Sequence, residues 1–143
     1  MVARVAKAGQ AAWLFGNLYE GVIGMPQLLA CARAERSPGL LTSGSPVRYF
    51  APIAPLTLGA TAITLARSWR SGQDRYRIAA AAGGFLGALG LSGYLIRTVD
   101  LPLLTNGEPL TEVERSQYAA RWHMINTLRL LFLSAGLLID PSR

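Results

Sequence analysis

Residues that bind metals or form disulfides are almost absent from this sequence of 143 residues, which has one cysteine and one histidine. The single cysteine, Cys31, excludes an intramolecular disulfide and a cysteine-based metal cage. The single histidine, His123, has no second His or Cys to complete a catalytic metal site, so the sequence predicts no metal. Glycine-rich phosphate loops after a strand, nucleophile elbows and cysteine pairs are also missing, so the enzyme classes built on these motifs are not indicated.

Charge is scarce as well, and the charged residues lie apart from long apolar stretches. Asp, Glu, Lys and Arg make up 15% of the sequence, against about 25% in soluble domains. Ile78–Ile96 contains no charged residue on any face, whereas a soluble helix bundle keeps a polar outer face. The sequence therefore predicts one all-α domain, 1–143, folded as a polytopic membrane protein with an antiparallel bundle of four transmembrane helices. The predicted spans have lengths near the roughly 20 residues that a helix needs to cross a bilayer: Ala8–Cys31, Tyr49–Ala66, Ile78–Ile96 and Ala119–Ile139.

The net charge of +6 does not indicate a nucleic-acid partner. The basic residues form no continuous stripe; they flank the apolar stretches, where arginines set topology and contact lipid headgroups. Arg67, Arg70, Arg75 and Arg77 surround one short connection. Short basic loops dominate orientation, so we expect this loop and both termini in the cytoplasm and the protein in the inner (plasma) membrane.

Cys31 also raises the alternative of a lipoprotein signal, because Leu28-Leu29-Ala30-Cys31 resembles a cleavage site. The apolar region of a signal peptide is short and uninterrupted. Here Asn17, Glu20 and Pro26 interrupt it. This favours a first helix that is retained.

Three local signals mark helix ends. Pro52 and Pro55 are expected in the first turns of the second helix, where a missing amide donor costs least. Ser68–Arg75 is expected to be a tight turn. Thr111 and Glu114 fit a capping box that would start the fourth helix ahead of the membrane.

The third helix is rich in glycine, and Gly83 and Gly87 form a G-x-x-x-G pair. Such pairs let helices approach closely in lipid. We expect this face to pack within the bundle of the same chain. A homo-oligomer formed through this helix is the alternative.

Polar residues inside the first and fourth apolar stretches are the strongest indication of a functional site. Trp122, Asn126 and Arg129 are spaced four and three apart, so they share one helix face, and Asn17 and Glu20 likewise share a face of the first helix. Because the two helices run in opposite directions, Glu20 and Arg129 fall at nearly the same depth. Pairing would reduce the cost of burying each charge, and ionisable groups at this depth are candidates for function. A purely structural pair that fixes helix register is the alternative.

His123 and Tyr94 fall near one depth in the outer half of the bundle. His123 could be a hydrogen-bonded interior or interfacial histidine, a general base or an axial haem ligand. Tyr94 and Trp122 could contact a substrate or anchor helix ends at the membrane interface.

These residues resemble the C-terminal signature of the anthrone-oxygenase-like integral membrane family. That signature has a short N-x-P-L-like segment after the third helix, followed by a W-x-x-x-N-x-x-R helix. The corresponding residues here are Asp100-Leu101-Pro102-Leu103, Arg121-Trp122 and Asn126-x-x-Arg129, with Gly16, Gly21 and Met25-Pro26-x-Leu28 in the first helix. Two positions depart from the pattern: Asp100 stands where the family commonly has Asn, and Ile125 where a second aromatic residue often precedes the Asn.

The resemblance implies an oxidoreductase that oxidises a lipophilic polycyclic phenol with molecular oxygen and needs no metal or flavin, hence no cofactor. The substrate would enter from the bilayer and lose a proton to a base, and hydrogen-bond donors would stabilise the oxyanion. Arg129 and Asn126 would be the donors, His123 the base, and Glu20 the second candidate for the base. The expected catalytic residues are thus His123, Arg129, Asn126 and Glu20, and the expected substrate-binding residues are Trp122, Asn17 and Tyr94.

A non-catalytic membrane protein is the alternative reading: an accessory subunit, or a binder of lipid or another small molecule. It accounts equally well for the glycine-rich third helix and the buried charge pair. In both readings the expected partners are membrane lipid and a lipophilic small molecule.

Overall fold

The computed structural model describes residues 1–34, 46–105 and 109–139, and all regular structure in this part of the chain is helical. Two π-helical turns, Glu20–Gly24 and Ile96–Asp100, lie within longer helices without interrupting them. The described residues thus form four helices: residues 2–34, Pro46–Arg70, Arg75–Thr105 and Glu112–Leu138. This confirms the all-α class. The elements are α1 (Val2–Tyr19), α2 (Met25–Ala34), α3 (Pro46–Arg70), α4 (Arg75–Leu95), α5 (Leu101–Thr105) and α6 (Glu112–Leu138).

Each π-helical turn lies just before a proline, Pro26 or Pro102. Proline has no amide N–H, and its ring crowds the carbonyl four residues earlier, so regular α-helical bonding cannot continue through it. The chain adjusts ahead of the proline by bonding over five residues: Met25 N–H donates to the Glu20 carbonyl, and Leu101 N–H to the Ile96 carbonyl. The carboxylates of Glu20 and Asp100 lie at the ends of these turns, where single π-helical turns often mark functional sites.

Neighbouring helices in the bundle are antiparallel. Helix α1 packs against α3 and α6, and α4 packs against α6. One core cluster joins α1, α4 and α6 through Trp13, Phe85, Ala88 and Leu133. A second cluster joins the α2, α5 and α6 region: Met25, Leu29, Leu95, Val99, Leu103 and Trp122.

The glycine-rich helix packs within its own chain, as expected, but not through Gly83. A Cβ at Gly84 would lie 3.0 Å from the Phe132 carbonyl oxygen and 3.1 Å from the Gly136 nitrogen. A Cβ at Gly87 would lie 2.7 Å from the Phe132 ring, whereas one at Gly83 would meet nothing within 4 Å. The backbones of α4 and α6 therefore approach closely at Gly84, where even the Cβ of an alanine would require its neighbours to shift by a few tenths of an ångström.

Two of the three helix-end predictions hold. Gly72, with φ of 75°, makes the tight turn between α3 and α4, and the capping box of Thr111 and Glu114 is present at the start of α6. The expectation for Pro52 and Pro55 is wrong, because α3 begins at Pro46 and both lie inside the helix. Hydropathy marks where the apolar section begins, and α3 starts ahead of that section.

Within the described ranges, two helices are long and apolar enough to cross a membrane: Val47–Arg70 and Arg75–Thr105. The first and last helices are not among them, although the sequence predicts four spans. Their windows contain polar residues such as Asn17, Asn126 and Arg129, all three buried inside the bundle. Only 17% of the apolar window of Val47–Arg70 is buried in the protein, which differs from the mostly buried core helix of a soluble domain.

Candidate functional site

A cavity of about 630 Å³ opens between the first helix and the start of α3. Phe15, Tyr19 and Tyr49 are exposed and form its outer side, whereas Met25 and Trp122 are buried and form its floor. The cavity is large enough for a small organic ligand, since such sites span about 300–1,000 Å³. Its lining residues are Phe15, Gly16, Tyr19, Glu20, Gly24, Met25, Leu28, Arg48, Tyr49, Asp100 and Trp122.

Arg129 lies behind this cavity and bonds to groups of three helices. Its Nε and Nη2 donate to Asn126 Oδ1 at 3.1 and 2.7 Å, and its Nη1 lies 3.5 Å from Ser92 Oγ. Arg129 Nη2 is 3.6 Å from Glu20 Oε2, with the Arg129 side chain 5% exposed and the Glu20 side chain 13% exposed. The predicted pair of Glu20 and Arg129 is therefore confirmed as a buried ion pair, and the guanidinium is occupied by this chain's own groups.

Asn126 links the fourth helix to the first. Its Nδ2 donates to the backbone carbonyl of Asn17 at 3.1 Å, while its Oδ1 accepts from Arg129. Asn17 is fully buried, and its own side-chain amide has no hydrogen-bond partner among the described residues. The face of Trp122, Asn126 and Arg129 is thus confirmed, and it meets the face of Asn17 and Glu20.

Asp100 supplies a second carboxylate to the cavity. Asp100 interacts electrostatically with both Glu20 and Arg129. One oxygen of each carboxylate, Glu20 Oε1 and Asp100 Oδ1, is buried without a hydrogen-bond partner in the described part of the chain. Buried polar atoms are rarely left unpaired. Both residues belong to the lining of the cavity, so their carboxyl groups are acceptors at this site.

His123 and Tyr94 are not part of this cluster. Both side chains are exposed on the outer faces of their helices, and neither lines the cavity. The expectation that His123 lies in the polar interior as the base is wrong, because it follows Trp122 by one residue. One step along an α-helix turns the side chain by about 100°, which carries it off the buried face. Tyr94, expected to bind substrate, stands 46% exposed on α4.

Sequence reasoning missed Asp100 and Ser92 as members of the site, along with Arg48 and Tyr49 at its outer side. Asp100 carried a signal, because it is the one charged residue between Arg97 and Glu108 and lies two residues before Pro102. Ser92 carried none, since a serine within an apolar helix usually bonds its own backbone. Here its hydroxyl does so, donating to the Ala88 carbonyl at 2.8 Å, and lies within reach of Arg129 as well.

Among the described residues, no three His, Cys, Asp or Glu side chains are grouped to hold a metal ion. No protein-family model, curated protein or solved structure matches this chain.

Proposed function

We propose that all four helices span the inner membrane, with both termini in the cytoplasm. Three polar residues of the first and last helices point inward: Asn17, Asn126 and Arg129 are buried, while the apolar residues Val22 and Leu131 are 75% and 62% exposed. The mean hydropathy of either helix gives these inward-facing polar residues the same weight as residues that face lipid. Polar groups that face a bundle interior and are paired there are compatible with a bilayer.

We further propose that the cavity binds a lipophilic small molecule from the bilayer. The observation that carries this is the combination of a largely apolar cavity with the carboxyl groups of Glu20 and Asp100 in its lining. Ligand sites have this composition, with apolar walls and a few polar groups that fix orientation. The aromatic residues on the exposed side, Phe15, Tyr19 and Tyr49, would be the first contacted from lipid.

The site favours a ligand that donates hydrogen bonds. Arg129 and Asn126 bond to each other and to groups of this chain, so neither is available to stabilise a ligand oxyanion in this arrangement. The buried groups of the cavity lining that lack a hydrogen-bond partner among the described residues are carboxylate oxygens of Glu20 and Asp100, which are acceptors. These bonds argue against the oxyanion role expected for Arg129 and Asn126. They favour instead a role in which the two residues hold Glu20 in position.

The second candidate function is the oxidation of a polycyclic phenol, which the resemblance implies. The position of Glu20 favours it, because a carboxylate in an apolar cavity can take a proton from the substrate in place of His123. For an anthrone, the activated CH2 group would become a carbonyl, with one atom of O2 entering the product and the other leaving as water. The four electrons lost by the carbon reduce the O2, so the reaction balances without a cofactor.

Both candidates can be tested together with detergent-purified protein, an anthrone, an oxygen electrode and an absorbance spectrum. An oxygenase should speed oxygen uptake without a coloured cofactor, and Glu20→Gln should remove that activity. Glu112→Gln is the matched control, because Glu112 is exposed outside the cavity. Anthrone binding without uptake would leave the binding function standing alone, and uptake that survives Glu20→Gln would contradict the assigned base.

A further inference from the structure

The charges buried at the cavity do not balance. Glu20 and Asp100 are two carboxylates, and Arg129 is the one buried guanidinium that interacts with them among the described residues. Arg48 also lines the cavity, but it lies on the exposed side, where water and lipid headgroups screen its charge. When both carboxylates are ionised, the interior of the site therefore has one negative charge in excess.

Arg129 cannot correct this excess by turning toward the cavity. Its Nε and Nη2 already donate to Asn126, Nη1 approaches Ser92, and Nη2 also lies near Glu20. Reorienting it would abandon several buried hydrogen bonds, each costly to leave unmade. The excess charge is therefore removed either by a proton on one of the two carboxyl groups or by a cationic ligand.

The walls of the cavity suit a positive charge. Four of its lining residues are aromatic: Phe15, Tyr19, Tyr49 and Trp122. The faces of aromatic rings attract cations, most strongly for Trp and Tyr, and such rings recognise quaternary ammonium groups. Trp122 already has one cationic neighbour, with the Arg129 guanidinium carbon 5.9 Å from its ring centroid. Carboxylates and aromatic rings around one apolar space form a site that attracts cations.

We propose that the ligand of this cavity is a lipophilic ammonium, with its charged nitrogen between Glu20 and Asp100 and its apolar part against the aromatic residues. This inference rests on the proposed binding function and narrows it to one ligand class. An N–H ammonium would donate to the carboxylates of Glu20 and Asp100, each of which has one oxygen without a partner among the described residues. A phenol could donate a hydrogen bond there too, but it would bring no positive charge.

The test compares three probes: a cation, a neutral molecule of the same shape, and a phenol. The cation is (1-naphthylmethyl)trimethylammonium, its neutral isostere carries a tert-butyl group in place of the trimethylammonium, and 2-naphthol represents the phenols. Binding would be measured by titration calorimetry on the full chain in phosphatidylcholine nanodiscs, with empty nanodiscs subtracted. The zwitterionic lipid prevents the membrane surface from concentrating the cation.

We expect the cation to bind about tenfold more tightly than its isostere, in line with the strength of desolvated cation–aromatic and charged contacts. Glu20→Gln and Asp100→Asn should each weaken the cation about tenfold and leave the isostere nearly unchanged, which also reports that the variant is folded. Glu112→Gln should change neither affinity.

Each other outcome is decisive. An isostere that binds as tightly as the cation would overturn the inference while leaving the binding function intact. Preference for 2-naphthol would also overturn it and favour the phenol oxidation. No binding of any of the three probes would contradict both the inference and the proposed binding function.

Discussion

The two ends of this bundle are built from the same four helices but pack in opposite ways. At the closed end, around Gly84 and Gly136, the backbones of α4 and α6 are in contact, and the cavity found there holds about 30 Å³. At the cavity end, around Glu20, Asp100 and Trp122, about 630 Å³ stays open. Small residues let helices approach closely, whereas prolines and π-helical turns disturb the regular surface of both rods. Close packing at the closed end thus holds the helices together, and the cavity end can then contain a polar site.

Removing the cation at the cavity end should have the largest effect. Arg129→Met leaves Glu20 buried without its partner, so we expect the free energy of unfolding to fall by about 3–5 kcal/mol. Unfolding in mixed detergent micelles would measure it. The matched variant is the double substitution Glu20→Leu with Arg129→Met, which removes both charges and should be less destabilised than Arg129→Met alone. A double variant that loses the sum of the two single losses would show that the pair is not coupled.

Substitutions that alter the packing at the closed end should have the second-largest effect on stability. The adjacent residues Gly83 and Gly84 allow a matched comparison. Gly84→Ala places a Cβ against backbone atoms of α6, so we expect a loss of about 1–3 kcal/mol from overpacking. Gly83→Ala enters open space and should stabilise the helix by up to about 1 kcal/mol. The same unfolding assay would read both. Equal effects at the two positions would contradict the close approach at Gly84.

The smallest effect is a pH dependence at the start of α6. Hydrogen bonds from the Thr111 hydroxyl and backbone N–H lower the pKa of Glu114 below its ordinary value of 4.5. Because the folded pKa is depressed, the stabilisation is fully present above pH 4.5 and is lost as the pH falls through the folded value. Hydrogen-exchange protection of the first turn of α6 should therefore drop in acid, and Glu114→Gln should remove that dependence. An unchanged dependence in Glu114→Gln would assign it to another group.

The sequence predicted much of the cluster, for identifiable reasons. Residues spaced four and three apart share a helix face whatever surrounds them, so Trp122, Asn126 and Arg129 had to point the same way. Glu20 and Arg129 could be paired because two antiparallel segments of similar length place their centres at one depth. The capping box at Thr111 is a local pattern of four residues and needs no tertiary information.

The wrong predictions arose where the depth of a residue in the bundle was estimated without the direction in which its side chain points around the helix axis. His123 lies near the right level, but its position beside Trp122 turns it away from the buried face. Asp100 joins the site because a π-helical turn precedes Pro102, and hydropathy is insensitive to such turns. Whether the oxygenase roles assigned from the resemblance hold for Glu20 stays a prediction.

By itself the sequence determined the helical class, the inward polar face and the pairing of two charges, because each follows from helical periodicity and the cost of burying charge. Only the tertiary structure decided what that polar face can do. It bonded Arg129 and Asn126 to the chain's own groups, brought Asp100 from the third helix close to Glu20 and placed both carboxyl groups in the lining of an open cavity. These outcomes depend on how far apart the rods stand and how each is rotated, which is set by packing between residues distant in the sequence.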